Sequence, residues 1–207
     1  MPSTRFYAIA ASALVVAGLG AGAWYALGGG AGDNCGGGIA TGGATVGGPF
    51  KLVSETGETV TDKEVIDRPA LVYFGYTFCP DVCPVDAAVM SQVADALGEA
   101  GHDVKTVFVT VDPERDTAEV LADFTDNLDP GMVGLTGSAE QIAAAAKAYR
   151  VYYAKAEGDD PDYYLMDHSA FTYLMAPEGF LAVFRHGDPA DAMIERAACH
   201  LDARDGA

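Results

Sequence analysis

Two cysteines four positions apart, Cys79 and Cys83, are the residues whose type and spacing most directly indicate chemistry. They stand in the stretch YFGYTFCPDVCPVDAA, where an apolar run ends and a helical pattern begins. A thiolate pair at such a turn binds soft metals or exchanges with disulfides, because helix amino-terminal amides stabilise negative charge. A structural disulfide is the third interpretation, but closing so short a loop adds little stability to a domain with a sizeable core.

The kind of metal follows from the other ligands that the chain offers. A structural zinc site needs four ligands, and no further C-x-x-C or H-x3-H pattern is present to complete one. Copper(I) prefers thiolate sulfur and accepts few ligands, and copper(II) adds a preference for imidazole. One histidine would therefore serve both oxidation states.

Four histidines are candidates for the third ligand. His102 lies in a turn and His200 in the predicted last helix, where a solvated role is the ordinary one. His186 ends a predicted strand. His168 precedes a strand that is expected to pair beside the strand leading to the first cysteine. Residue types and spacing alone leave both His168 and His186 open.

The elements that must position the cysteines follow a strand, helix, strand order. Residues 70–75 (ALVYFG) and 106–112 (TVFVTVD) are apolar or β-branched runs, as buried strands require. Between them a helix is expected to start at Pro84, which suits the first helical turn. Its buried face is expected to carry an apolar row that recurs every four residues: Val85, Val89, Val93 and Leu97.

Two more helices continue the alternation. One is expected at about residues 117–128, and another follows Ser138, which forms a capping box with Gln141. Alternating strands and helices predict a largely parallel sheet.

Towards the carboxyl end the pattern changes to paired strands. Residues 151–155 and 163–166 flank the acidic turn EGDDPD as the arms of a hairpin insertion would. Residues 169–176 and 180–186 predict two further strands, and a last helix is expected through Ala203. An α/β sandwich that ends in an antiparallel hairpin and a helix resembles the thioredoxin fold.

The charge of the chain excludes one class of partner. Its 207 residues include 12 Lys and Arg against 30 Asp and Glu, a formal net charge of −18. A surface this acidic repels phosphate backbones, so nucleic acid is not expected as a partner.

An uncharged tract, residues 6–27, is long enough to cross the roughly 30 Å hydrocarbon layer as a helix. Arg5 precedes it and Asp33 is the first charge after it, so the positive-inside bias predicts a cytoplasmic amino terminus. The tract is interpreted as a retained single-pass anchor in a bacterial inner membrane, with the domain in the periplasm. A signal cleaved after the small residues 21–23 is the alternative.

Three segments are therefore expected: a tail and transmembrane helix over residues 1–27, a flexible linker over 28–47 and a folded domain over 48–207. The linker is rich in glycine and cannot bury enough apolar surface to order itself. Cys35 lies in this linker and Cys199 in the last helix, and the sequence assigns a partner to neither.

Five ordered blocks resemble the Sco (SenC) family of membrane-anchored copper proteins for cytochrome c oxidase assembly: YFGYTFCPDVCP, TVDPERDT, VGLTG, AYRVYY and DHSAFTYLMAPEG. The resemblance implies a thioredoxin-like fold and a mononuclear copper site, Cu(I) or Cu(II), formed by Cys79, Cys83 and His168. It implies delivery of copper to the CuA centre of oxidase subunit II, with a periplasmic copper donor or thiol reductant as a further partner. Asp112, Arg115 and Asp167 then order loops or support the histidine.

The alternative function is a thiol:disulfide reductase, in which Cys79 and Cys83 are a redox pair that keeps the oxidase cysteines, or another chaperone, reduced. Thioredoxins use C-x-x-C with a proline facing the cysteines. Here the spacing is one residue longer and His168-Ser169 precedes the strand, which favours copper. A peroxiredoxin-type peroxidase needs a lone reactive cysteine, and the pair argues against it.

Overall fold

The computed structural model describes residue 35, residues 45–156 and residues 163–206. The chain separates into Met1–Gly36 and Gly37–Ala207, and the fold below belongs to the second unit. The predicted anchor over residues 1–27, most of the predicted linker and the turn EGDDPD lie outside the described residues. Within the described residues, none of the helices has both the length and the apolar character needed to span a bilayer.

The described part of the chain forms nine strands and five helices. The strands are β1 (Lys51–Ser54), β2 (Thr59–Thr61), β3 (Ala70–Gly75), β4 (Lys105–Thr110), β5 (Val133–Thr136), β6 (Tyr153–Lys155), β7 (Met166–His168), β8 (Phe171–Ala176) and β9 (Gly179–Arg185). The helices are α1 (Asp62–Val65), α2 (Val82–Glu99), α3 (Ala118–Leu128), α4 (Ala139–Tyr149) and α5 (Ala190–Asp205).

Seven of these strands form one mixed sheet in the order β2-β1-β5-β4-β3-β8-β9. Only the β3–β4 and β4–β5 pairs are parallel, and the other four pairs are antiparallel. The prediction of a largely parallel sheet is therefore wrong. The physical reason is that β1–β2 and β8–β9 reverse through short hairpins, which produce antiparallel neighbours, whereas only the helical crossovers produce parallel ones.

Strand β3 lies at the centre of the core, and all six of its residues are buried. Its side chains alternate between the two faces of the sheet. Tyr73 packs on Phe108 on one face with ring centroids 6.0 Å apart, and Phe74 packs on Tyr149 on the other at 5.1 Å. Its carboxyl end, from which the chain leads to the first cysteine, is thereby held rigidly.

Helix α2 begins at Val82 rather than at Pro84, so Cys83 lies inside its first turn. Val85 is 50% exposed, against the prediction that it belongs to the buried row. Four residues advance about 40° more than one full turn, so a strict every-fourth row winds away from the core. The residues that α2 actually buries lie together on one face of the helix: Cys83, Asp86, Ala87, Met90, Val93 and Leu97.

Local patterns elsewhere predicted the elements well. The capping box is confirmed, because Gln141 N donates to Ser138 Oγ and Ser138 N donates to Gln141 Oε1. The predicted hairpin insertion is confirmed as the antiparallel pair β6–β7, although its second strand begins at Met166 rather than at residue 163. The last helix ends at Asp205 rather than Ala203, and the hairpin β1–β2 was not predicted.

Candidate metal centre

Three side chains from separate elements converge beyond the carboxyl end of β3. Cys79 lies in the loop after β3, Cys83 in the first turn of α2, and His168 at the end of β7. One potential ligand atom from each lies within 4.8 Å of the other two. This is the one such group of His, Cys, Asp or Glu residues found in the described part of the chain. The other candidate, His186, is not a member of it.

The sulfur of Cys79 is held by the helix that follows it. Cys83 N donates a hydrogen bond to Cys79 Sγ at 3.2 Å. Asp81, the residue at the N-cap position, makes no side-chain capping bond. The Cys79 sulfur therefore takes the place of a capping oxygen on one of the amides that a helix amino terminus leaves unpaired, and this contact directs the sulfur towards the second cysteine.

Cys83 is fully buried, and burial raises the pKa of its thiol because charge is costly away from water. A methyl group built at Gly75 would lie 3.0 Å from Cys83 Sγ and 2.8 Å from the ring of Tyr73. Only glycine leaves room for the sulfur at this point of β3. Burial of the sulfur at this point favours the protonated thiol over the thiolate.

The imidazole of His168 is oriented by the backbone of the residue that follows it. Nδ1 lies 3.2 Å from the carbonyl oxygen of Ser169, which can only accept, so Nδ1 carries the proton and donates. Nε2 is left as the acceptor and lies 3.3 Å from Cys83 Sγ. The rings of Tyr73 and Tyr76 stand perpendicular to the imidazole, and burial lowers the pKa of His168. A neutral ring thus presents a lone pair towards the cysteines.

A buried carboxylate that the sequence analysis did not single out holds the cysteine loop. Thr77 N and Thr77 Oγ1 donate to the two carboxylate oxygens of Asp116 at 3.0 and 2.6 Å, and Thr110 Oγ1 donates to the same group. Burial raises the pKa of Asp116, and these hydrogen bonds oppose the shift. Asp116 therefore links the end of β4 with the loop in which Cys79 lies. The block DPERDT contained this residue, but nothing in its spacing indicated a contact with Thr77.

Arg115 and Asp112 order the hairpin that carries His168. The guanidinium of Arg115 pairs with Asp112, donates to the carbonyl of Tyr164 at 2.9 Å and lies 3.7 Å from the ring centroid of Tyr164. It also lies 4.7 Å from the ring of Phe78, beside the first cysteine. Tyr164 in turn donates its hydroxyl to Asp112. The loop-ordering interpretation of this pair is confirmed.

Asp167 makes no hydrogen bond to the neighbouring histidine in the described part of the chain. It is exposed and pairs across the hairpin with Ala154, whereas His168 pairs with Tyr153, and neighbouring residues of a strand point to opposite faces. The carbonyl of Ser169 provides the hydrogen bond that a carboxylate would have made.

The donor set suits a soft metal ion. Two sulfurs and one imidazole nitrogen within 4.8 Å of one another can share one ion at typical ligand distances of about 2.0–2.3 Å. Thiolate and imidazole together match copper, and the described group lacks the fourth protein ligand of a structural zinc site. Cys79 and Cys83 are free thiols, whereas Cys35 and Cys199 are both disulfide-bonded.

The fold and the centre together define a thioredoxin-like protein with a Cys-Cys-His site for a soft metal. The sequence matches the SCO1/SenC family over residues 39–202, and the chain belongs to that family. Protein SenC of Rhodobacter capsulatus is 51% identical over 170 residues, which cover 82% of this chain and 76% of that protein. The chain spans about half the length of the mitochondrial SCO1 homologues of Arabidopsis thaliana (48%) and Homo sapiens (53%).

Solved structures agree with this assignment. The crystal structure of Arabidopsis thaliana ScoI with copper bound is 39% identical, with a TM-score of 0.73 over 76% of this chain and 99% of that chain. BsSco, described as a member of the Sco family of cytochrome c oxidase assembly proteins, is 25% identical with a TM-score of 0.60 over 75% of this chain and 94% of that chain. The thioredoxin-like α/β fold is thereby shown.

Proposed function

We propose that this protein is a copper metallochaperone of cytochrome c oxidase assembly, which delivers copper to the CuA centre of oxidase subunit II. The observation that carries the proposal is the convergence of Cys79, Cys83 and His168 within 4.8 Å. The copper-bound relative from Arabidopsis thaliana supports the choice of metal. The described relationship of BsSco to oxidase assembly supports the choice of process.

The centre is suited to transfer as well as to binding. Two thiolates and a neutral imidazole hold Cu(I) with three ligands, which leaves the ion open to a fourth ligand from another protein. Cys79 is partly exposed whereas Cys83 is buried, so an incoming thiol can approach from the side of Cys79. Copper can then pass to the acceptor by exchange of one ligand at a time.

We further propose that residues 6–27 anchor the protein in a bacterial inner membrane by a single pass, with the amino terminus in the cytoplasm and the domain in the periplasm. The charge pattern around the tract supports this orientation. A periplasmic copper donor or a thiol reductant would then prepare the site before it meets the oxidase subunit.

The test of copper binding is a Cu(I) titration of the detergent-purified full chain against a competing chelator. We expect one copper per chain, and Cys79→Ser or His168→Ala should weaken binding by at least about tenfold because each removes a ligand. His102→Ala is the matched control, since His102 lies outside the ligand group. Unchanged affinity in His168→Ala would rule out the three-ligand site. Metal analysis after mixing with the copper-free soluble domain of subunit II tests delivery.

The second candidate function is thiol:disulfide reduction, which the unequal exposure of the cysteines favours. The Cys79 thiolate would attack a partner disulfide, and Cys83 would then displace the partner thiol, leaving a Cys79–Cys83 disulfide and a reduced partner. An assay with insulin and a thiol reductant should show turnover that survives His168→Ala and is lost in Cys79→Ser. A chain without turnover does not have this activity.

A further inference from the structure

His186, which is not a ligand, contacts the helix that carries Cys83. Its Nδ1 lies 2.8 Å from Oδ1 of Asp86, one helical turn after Cys83 in α2. The Asp86 side chain is only 9% exposed, whereas that of His186 is 47% exposed. The other carboxylate oxygen, Oδ2, is buried and has no hydrogen-bond partner in the described part of the chain. The bond from His186 is therefore a main contact of this buried carboxylate, beside which the hydroxyl of Tyr73 also lies.

The backbone of His186 contacts the segment that carries the histidine ligand. His186 N donates to the carbonyl of Ala170 at 3.1 Å, two residues after His168. His186 thus bonds to α2 through its side chain and, through its main chain, to the short link between β7, which carries His168, and β8. The separation of Cys83 and His168 depends on how these two segments are held.

The other polar contacts of the first turn of α2 are made mainly by the sulfur of Cys83, next to Tyr73 and the backbone of Tyr76. Asp81 does not cap the helix, and the Cys79 sulfur, which accepts from Cys83 N, is itself a proposed copper ligand. The next polar contact along the helix comes from Ser91, whose hydroxyl donates to Asp129. Asp86 is therefore placed to set the position of the ligand-bearing turn.

We propose that His186 is a positioning residue, which acts through Asp86 to hold Cys83 at the correct distance from His168 for shared binding of copper. The inference rests on the proposed copper-binding function. His186 would then be a residue outside the ligand set that affects how tightly the three ligands bind copper. Buried groups that orient ligands commonly change metal affinity by roughly 10–100-fold when they are removed.

The test compares His186→Ala with His186→Asn in the full chain purified in detergent. Alanine removes the bond to Asp86, whereas the asparagine side-chain amide can place an N–H near the position of Nδ1 and restore it. The matched control is His102→Ala, which breaks the pair of His102 Nε2 with Asp202 Oδ1 (3.3 Å) beyond the other end of α2. Each variant is measured for Cu(I) affinity, for the absorption of the cysteine-bound Cu(II) form and for thermal unfolding without metal.

We expect His186→Ala to weaken Cu(I) binding about tenfold and to shift the Cu(II) absorption, and His186→Asn to recover affinity to within about twofold. His102→Ala should leave both copper measurements unchanged. Because His186→Ala leaves a buried carboxylate unpaired and can fail to fold, Asp86→Leu serves as a second variant, since it removes the bond together with the charge. It should show the same loss of affinity.

The outcomes separate the inference from the function on which it rests. A wild-type chain that binds no copper would overturn the proposed function. A wild-type chain that binds copper, together with a folded His186→Ala or Asp86→Leu that binds equally well, would overturn the positioning role alone. An equal loss in His102→Ala would also overturn it, because the effect would then be one of general stability.

Discussion

The three proposed ligands of the centre differ in how far each is withdrawn from water. Cys83 is fully buried, while Cys79 and His168 are partly exposed. Burial raises the pKa of Cys83 and lowers that of His168, because in both cases it disfavours the charged form. The histidine is therefore ready to bind at neutral pH, whereas Cys83 must first lose a proton.

This difference predicts how copper affinity depends on pH. A raised thiol pKa means that Cys83 is protonated at neutral pH, so Cu(I) must displace that proton and binding strengthens as pH rises. We expect the apparent affinity to increase between about pH 6 and pH 9, by about tenfold per unit for each proton displaced. His168 adds little to the slope, because its lowered pKa keeps it neutral over this range.

Chelator competition at several pH values measures the slope. Cys83→Ser should lower the affinity and remove the contribution of one proton from the slope. A wild-type affinity that does not change with pH would show that Cys83 is already a thiolate before copper binds.

At the scale of elements, the centre is assembled from one rigid part and one smaller part. The cysteines lie at the junction of β3 and α2. Strand β3 is covered on both faces of the main sheet, since all its residues are buried. His168 belongs to the two-stranded β6–β7 hairpin, which is not part of that sheet. Arg115 joins the two, through its bond to the Tyr164 carbonyl and its stacking between Tyr164 and Phe78.

Arg115→Lys should therefore loosen the hairpin without unfolding the domain. Lysine keeps the charge beside Asp112 but loses the planar stacking and the forked geometry of the guanidinium. We expect faster amide hydrogen exchange in β6 and β7, unchanged exchange in β3, and copper affinity lower by roughly threefold to tenfold.

Arg68→Lys is the matched control, since Arg68 forms an exposed pair with Asp103 away from the centre. Unaltered exchange of the hairpin amides in Arg68→Lys is expected. If Arg115→Lys left those amides equally protected, the hairpin would be held by its other contacts.

For the whole molecule, the proposed location rests on the charge of the chain and on the apolar tract. The formal net charge of −18 comes from the part outside residues 6–27, since that tract carries no charge. A strongly acidic domain stays soluble and is repelled by anionic lipid headgroups, so membrane attachment should depend on the tract alone.

Cell fractionation in a bacterial host tests the anchor. We expect the full chain to sediment with membranes, to resist extraction at high pH and to dissolve in detergent, because about 20 apolar residues insert stably. A version in which residues 6–27 are replaced by a cleavable export signal should appear in the soluble periplasmic fraction. Release of the unmodified chain into that fraction would instead support cleavage after residues 21–23.

Local features of the chain predicted most of the elements. The strand at residues 70–75 and the capping box at Ser138 were both correct, because each depends on residues within one strand or one helical turn. Strand direction was predicted less well, since it depends on which elements become neighbours. The start of α2 and its buried face were also misplaced, because Pro84 and the valines were interpreted without knowing which side the core would cover.

The sequence by itself determined the thiol pair at a strand-to-helix junction, and it restricted the chemistry of that pair to soft-metal binding or disulfide exchange; the third ligand was implied by resemblance. Only the tertiary structure decided that His168, 85 residues after Cys83, reaches the pair while His186 bonds to Asp86 instead. The physical reason is that periodicity and turn chemistry act over a few residues. Where the segments that carry His168 and His186 contact α2 depends on the pairing of β8 with β3 and on the packing around these strands. Both the pairing and the packing are properties of the whole fold.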